Sequence, residues 1–278
     1  MWAYDKKQKW ASWRSLQTQF RVEQFDLVFV AQRFFGMGFL SLCIGAKKVI
    51  GFDKNPLSWF FSERVPHDWG GGKHETERNT DLLKSWLGPK VFKPFLNPEP
   101  KSLPDGLASH NYICISPGSV WETKRLPVPV WIDFIHGLPE NQVVVLMGAP
   151  NEVDLANEIE QACPKHRIFN EAGKHGLVDA IRIYQHSLMS YVNDSGPMHI
   201  CSAVNTPTVA VFCSTIPAFG FGPLADWNRI IEIEGLACRP CGDHGKKSCP
   251  LAHYACGNQI TGNQLFKQYS ALLAARRE

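Results

Sequence analysis

A chain of 278 residues is long enough for two domains at roughly 150 residues each. Hydrophobic residues at 44% and charged residues at 20% exclude wholesale disorder. Lys and Arg number 29 against 26 Asp and Glu, and the balance of +3 is too small for a nucleic-acid binder's electrostatic footprint. The longest uncharged apolar stretch, Phe34 to Ala46, falls short of the ~20 residues that a membrane-spanning helix needs, so no transmembrane segment is expected.

The N-terminus shows no apolar run after its charges, so no signal peptide is visible and a cytoplasmic location is expected. Helical periodicity near Trp10 to Phe20 precedes an apolar strand, Asp26 to Val30. A helix over Gly38 to Cys43, a strand over Lys48 to Phe52 and a helix over Glu77 to Trp86 complete the first part. Two strands make a poor sheet, which leads one to expect missing elements upstream. Gly88 to Asp105 then carries five prolines and no periodicity, as a linker does. Beyond it, apolar runs at Tyr112–Ser116, Val143–Met147, Ser190–Val192 and Thr208–Phe212 alternate with amphipathic stretches at Ala156–Cys163 and Leu177–His186. Such alternation predicts an α/β architecture with doubly wound parallel sheets. Thr261 and Gln264 form a capping-box pattern that opens a terminal amphipathic helix. The expected organisation is residues 1–105, an N-terminal Rossmann-like domain with its linker, residues 106–260, a second Rossmann-like domain, and residues 261–278, a helix.

Three strand-end segments carry chemistry. In Tyr191-Val-Asn-Asp-Ser-Gly-Pro-Met-His199 a strand runs through a tight turn into a helix with Pro197 near its start. The helix N-terminus presents free N–H groups and a positive dipole end to an anion such as a diphosphate. Asp194 and Ser195 stand where open α/β sheets bind ligands, although either could simply cap the helix. Ser116-Pro-Gly-Ser-Val-Trp-Glu-Thr-Lys-Arg-Leu-Pro127 places Lys124 and Arg125 after a Gly-Ser turn, suited to a phosphate or to solvent. Met147-Gly-Ala-Pro-Asn-Glu152 puts a carboxylate in a first helical turn, to cap it or to meet a ribose or base.

These segments resemble glycosyltransferase family 9, the ADP-heptose–lipopolysaccharide heptosyltransferases. The likeness extends to Phe25-Asp-Leu-Val28, Gly45-Ala-Lys-Lys-Val-Ile-Gly-Phe52, His74-Glu-x-x-Arg-Asn79 and Phe219-Gly-Phe-Gly-Pro223, in order from about Tyr4 to Thr261. The resemblance implies a GT-B fold, with two Rossmann-like domains facing a cleft and the C-terminal one holding an ADP-heptose donor. It implies that Ser119 and Lys124 contact the diphosphate and sugar, and Glu152 the adenosine side. Asp194, Ser195, Gly196 and His199 would hold the heptose and pyrophosphate, with Lys124 and Asp194 as catalytic residues. The implied reaction is inverting heptosyl transfer to a lipid A–core oligosaccharide acceptor at the cytoplasmic face of the inner membrane. It calls for no metal and no cofactor.

Family members open with a strand and a Gly-Asp turn whose Asp is the presumed base, and this chain begins about 60 residues later, two βα units at ~30 residues each. Asp5, Asp26, Asp53 and Asp68 do not match that base, and a second Arg after Gln32-Arg33 is absent. A catalytically inactive nucleotide-sugar-binding remnant is therefore the alternative. Five cysteines (43, 114, 163, 201 and 213) sit singly in apolar runs, as reduced core residues do. Cys238, Cys241, Cys249 and Cys256 cluster with zinc-like spacing, which makes an interaction module on zinc a third reading. His74, Glu75 and Arg78 start a helix, with capping or acceptor contact through Arg78 as their roles.

Overall fold

The computed structural model describes residues 4–5, 7–99, 102–104, 106–107 and 111–276. The chain divides into two compact units, residues 1–92 and 93–278.

In the first unit, α1 (Lys9–Glu23), β1 (Leu27–Val30), α2 (Phe35–Cys43), β2 (Lys48–Phe52), β3 (Glu63–Val65), α3 (Glu75–Asp81) and α4 (Lys84–Leu87) follow one another. Strands β1, β2 and β3 form a parallel sheet in that order. Alternate strand residues feed opposite faces: Ile50, Phe52 and Val65 pack with Leu82, whereas Val30 and Val49 pack with Phe61. The sheet thus has three strands rather than the two expected. The extra one, Glu-Arg-Val, is too short and charged to show as an apolar run. The helix expected over Glu77 to Trp86 is two pieces, α3 and α4, broken at Leu82 and Leu83. Cys43 is half-buried at the end of α2 rather than in a core.

The second unit runs β4 (Tyr112–Ser116), α5 (Val128–His136), β5 (Val143–Leu146), α6 (Val153–Ala162), β6 (Ile168–Asn170), α7 (Leu177–Gln185) and β7 (Met189–Asn193). It continues through α8 (Gly196–Ala203), β8 (Thr208–Phe212), β9 (Asn228–Glu232), α9 (Ala255–Asn258) and α10 (Gly262–Ala275). Its six-stranded sheet has the order β6-β5-β4-β7-β8-β9, parallel throughout. Ile113, Ile115, Val144 and Leu146 enter one core with Trp131 and Phe134. Tyr112, Cys114, Val143 and Val145 enter the other with Met198 and Phe212. This two-sided burial explains why the central strands are continuous apolar runs.

The end of the Pro-rich segment belongs to the second unit. Leu96 N–H donates to the Ala203 carbonyl, Lys93 pairs with Asp226 at 2.7 Å, and Arg182 donates to the Glu99 carbonyl. Helix α10 starts at the expected place, with Gln264 accepting the Thr261 N–H at 2.8 Å. It packs on α5.

From β4 the chain winds outward through β5 and β6, then returns to place β7 on β4's other side. The loops leaving β4 and β7 diverge here, and such a switch point opens a crevice beyond the strands' carboxyl ends.

Candidate functional site

The loop after β4 brings Lys124 to the loop after β7. The Lys124 Nζ lies 2.6 Å from Asp194 Oδ2, with only 14% and 7% of the two side chains exposed. The same carboxylate oxygen accepts the Thr215 hydroxyl, 2.6 Å away and itself buried. Among the described residues, no hydrogen bond reaches Asp194 Oδ1. The carboxylate is therefore held from one side and has an acceptor free for a ligand hydroxyl.

Asn193, fully buried, builds the loop that carries Lys124. Its amide donates to the carbonyls of Pro117 at 2.8 Å and Gly118 at 3.2 Å, while its oxygen accepts the Leu126 N–H at 3.0 Å. One side chain thus clamps both ends of the turn. Arg125 closes it from within, donating through Nε to the Ser119 carbonyl at 2.7 Å and pairing with Glu122 at 2.9 Å. Ser119 is buried in that turn. Adjacent cations have parted: Lys124 turns to Asp194, and Arg125 serves the loop's own backbone.

Glu152 joins this group from the loop after β5. Its carboxylate accepts the Ala149 N–H at 2.9 Å and lies directly beneath Gly118, where a Cβ would fall 2.1 Å from Oε1. A side chain at 118 would have to push the Glu152 carboxylate out of this position.

Helix α8 begins in the same place. Ser195, its N-cap, is extended, and no side chain caps the helix; the Ser195 hydroxyl donates instead to the Asn193 carbonyl at 3.3 Å. Capping is therefore not what Asp194 and Ser195 do. In the first turn Pro197 has no N–H and the Met198 N–H donates to the Ser195 carbonyl at 3.1 Å, so the Gly196 N–H and the positive end of the helix dipole are what remain for an anion. Nothing lies within 4 Å of where a Gly196 Cβ would sit, so the helix entrance is open. His199 is exposed one turn further on, edge-on to Phe221 at 6.3 Å.

Thr123, Thr215 and Arg239 are participants that motif reading passed over. The Thr123 hydroxyl meets Ser214 Oγ at 3.0 Å and accepts the Lys246 N–H at 2.7 Å. Arg239 donates to the Thr215 carbonyl through Nε at 3.0 Å and Nη2 at 2.6 Å, and pairs with Glu232. Thr123 meets partners 91 and 123 residues away, and Thr215 and Arg239 meet Asp194 and Thr215 across 21 and 24 residues, so no local pattern signals them.

The four-cysteine segment packs against the site. Cys241 N–H donates to the Ser214 carbonyl at 2.9 Å, and a Cβ on Gly245 would lie 2.9 Å from Lys124 Cγ. Cys238, Cys241, Cys249 and Cys256 are free thiols, and among the described residues no group of three or more His, Cys, Asp or Glu is arranged to hold a metal ion. Burial, with the neighbouring Cys238 and Cys249 thiols, pushes the Cys241 thiol up, and burial first of all lifts Cys256 to about 11. For Cys249 burial opposes ionisation, but backbone N–H groups of residues 251 to 254 outweigh it and lower its pKa. In the first unit, His74 caps α3, accepting the Thr76 N–H at 3.2 Å. Arg78 is fully buried, paired with Glu75 at 2.6 Å and donating to the Lys73 carbonyl, which makes it part of the framework.

The model of glycosyltransferase family 9 (heptosyltransferase) matches residues 13–254, which takes in the Lys124, Glu152, Asp194 and Thr215 loops. The chain belongs to glycosyltransferase family 9. Among relatives of this family, it is 32% identical over 161 residues to the lipooligosaccharide heptosyltransferase 2 of Haemophilus influenzae, covering 52% of this chain and 46% of that protein. It is 23% identical over 247 residues to the lipopolysaccharide heptosyltransferase 1 of Pseudomonas aeruginosa, covering 85% and 66%. The chain thus spans from about half to two thirds of the length of these two relatives. The Escherichia coli ADP-heptose lipopolysaccharide heptosyltransferase II structure superposes with a TM-score of 0.72 at 21% identity, covering 96% of this chain and 82% of that one. The fold is accordingly that of the family's GT-B enzymes, built from two Rossmann-like units. No helix among the described residues is long and apolar enough to cross a membrane.

Proposed function

We propose that the chain transfers a heptose from ADP-heptose to the lipopolysaccharide inner core, with inversion at the anomeric carbon. The observation that carries this reading is the buried Lys124–Asp194 pair beside the uncapped N-terminus of α8, in a chain of this family. The donor is the one for which the similar Escherichia coli heptosyltransferase II is named. The diphosphate lies between the Lys124 ammonium and the α8 N-terminus, where the Gly196 N–H and the helix dipole meet it, with Ser119 in the loop that carries Lys124. Glu152 meets the adenosine, and Asp194 Oδ1 accepts a heptose hydroxyl, with Ser195, Gly196 and His199 completing the sugar side.

In the transfer, an acceptor hydroxyl attacks the anomeric carbon as its proton leaves to a base. The bond from that carbon to the ADP oxygen breaks. Negative charge grows on the departing diphosphate, and Lys124 and the α8 dipole meet it, so neither metal nor cofactor is called for. The acceptor is a lipid A–core oligosaccharide, which places the reaction at the cytoplasmic face of the inner membrane with the protein peripheral to it.

The test incubates the protein with ADP-heptose and a deep-rough lipopolysaccharide acceptor and measures ADP release. Acceptor-dependent release above that of an Asp194→Ala control is expected. Release equal to the control refutes the transferase reading, and ADP binding without turnover would assign a binding role instead.

A further inference from the structure

Asp194 has two partners, the half-buried Lys124 and the buried Thr215, and only Lys124 has a role in the reaction as proposed. We propose that Thr215 is a positioning residue for that reaction: its hydroxyl shares the load of the Asp194 carboxylate, leaving the Lys124 ammonium free to act on the diphosphate. This inference rests on the donor-site reading above and extends it to a residue beyond the recognised motifs.

Asp194 Oδ2 takes both the Lys124 ammonium and the Thr215 hydroxyl, each at 2.6 Å. A carboxylate that is 7% exposed draws little from solvent, so its charge must be met by these donors. With Lys124 as the sole donor, the ammonium would be pinned to the carboxylate and its field spent there. With Thr215 contributing a hydrogen bond to the charged group, the lysine can turn part of its field toward an incoming anion.

The hydroxyl is held in place to do this. Residue 215 follows β8, next to β7, so its side chain reaches across to the first residue after β7. Arg239 fixes the backbone carbonyl of Thr215 with a two-pronged contact. The arginine is itself only 5% exposed and is anchored by Glu232 and the Ile233 carbonyl. Ser214, the preceding residue, bonds Thr123 through its hydroxyl and Cys241 through its carbonyl. Arginine and cysteine segment therefore fix the backbone of residues 214 and 215, and from that backbone the Thr215 hydroxyl meets the carboxylate that pairs with Lys124.

The test compares Thr215→Val, Thr215→Ser and Thr215→Cys in the full chain, by steady-state kinetics with ADP-heptose and acceptor and by calorimetry with ADP alone. Thr215→Val is expected to lower kcat about tenfold, the size of one hydrogen bond to a charged group, and to weaken ADP binding by roughly threefold. Thr215→Ser, which keeps the hydroxyl, should stay within about twofold of the parent in kcat. Thr215→Cys, a near-isosteric weak donor, should fall between them, and it decides the matter if the valine variant does not fold. A valine or cysteine variant equal to the parent in both kcat and ADP affinity overturns the proposal. So does a serine variant as impaired as valine, because methyl packing would then be the role. A parent that binds ADP without transferring heptose refutes the transferase reading alone, and the ADP affinities of the variants still decide the role of Thr215. A parent that binds no ADP refutes both.

Discussion

Removing Lys124 separates catalysis from structure, because this lysine is asked to do both. In Lys124→Ala the Asp194 carboxylate, 7% exposed, keeps Thr215 as its only side-chain partner among the described residues. Breaking a buried pair by deleting one partner costs about 3–5 kcal/mol, and the lysine's own 14% exposure puts this case near the lower figure. For a unit of this size each kcal/mol moves Tm by roughly 2–4 °C, so a fall of about 6–12 °C is expected. Deleting the carboxylate as well removes the orphaned charge, and Lys124→Ala/Asp194→Ala should recover part of that loss. On the chemical side, losing one electrostatic stabiliser of the transition state costs about 10²–10³ in rate. Arg125→Ala is the internal control. It removes an equal charge from the same turn, but that charge already serves Ser119 and Glu122, so a loss under about tenfold is expected. The measurements are ADP release at saturating donor, circular dichroism and thermal melts on all four proteins. Lys124→Ala within fivefold of the parent, or a double variant no more stable than the single one, would refute the reasoning.

Gly118→Ala should fold normally yet bind ADP at least several-fold more weakly in calorimetry, because its methyl group displaces the Glu152 carboxylate from the Ala149 N–H. Asn193→Ala removes both clamps of the Lys124 turn and should cost about 2–4 kcal/mol in denaturant titration, with ADP affinity falling alongside. In the first unit, burial, together with Arg78 and Arg33, holds His67 below the ordinary histidine value of 6.5, against the opposing pull of Glu75 and Asp53. The unfolded chain then binds the proton more readily than the folded one, so stability should fall as pH drops below about 6.5. Urea midpoints at pH 8 and pH 5.5 would show it, and His67→Gln should flatten the difference.

Central strands were legible in the sequence, whereas the edge strands β3, β6 and β9 were not; the edge strand β1 was read because its four residues are all apolar. Strands β4, β5, β7 and β8 are covered on both faces, every residue is buried and most are apolar, which marks them. Strand β9, Asn-Arg-Ile-Ile-Glu, lies at the sheet's edge with its second and third residues exposed, and its charges read as loop. Strands β3 and β6, three residues each, are too short for any period to register. Helix ends followed the same logic. Where a capping pattern existed, at Thr261, the start was legible; α3 and α4 break at a pair of leucines that a continuous helix would also accommodate.

The site shows a sharper division, between what a motif contains and what it does. Asn193, Asp194 and Ser195 are consecutive, yet the structure gives them three directions. Asn193 ends β7 and reaches sideways to β4's loop, Asp194 meets Lys124 and Thr215, and Ser195 turns back on its own backbone. A period of two along a strand accounts for the first divergence, since neighbouring side chains leave on opposite sides. The sequence therefore pointed to the segment while leaving open which residue binds and which builds. Lys124 and Arg125 repeat the lesson: two identical charges side by side, one paired across the switch point and one consumed within its own turn. What decides between them is the partner, and every partner that matters here comes from a different strand. Thr215 from β8 and Arg239 from beyond β9 are adjacent to Asp194 only because β7, β8 and β9 lie side by side in one sheet. The geometry of the lysine, and hence the charge it can offer a diphosphate, is thus set by the order of the strands as much as by the residues in the motif.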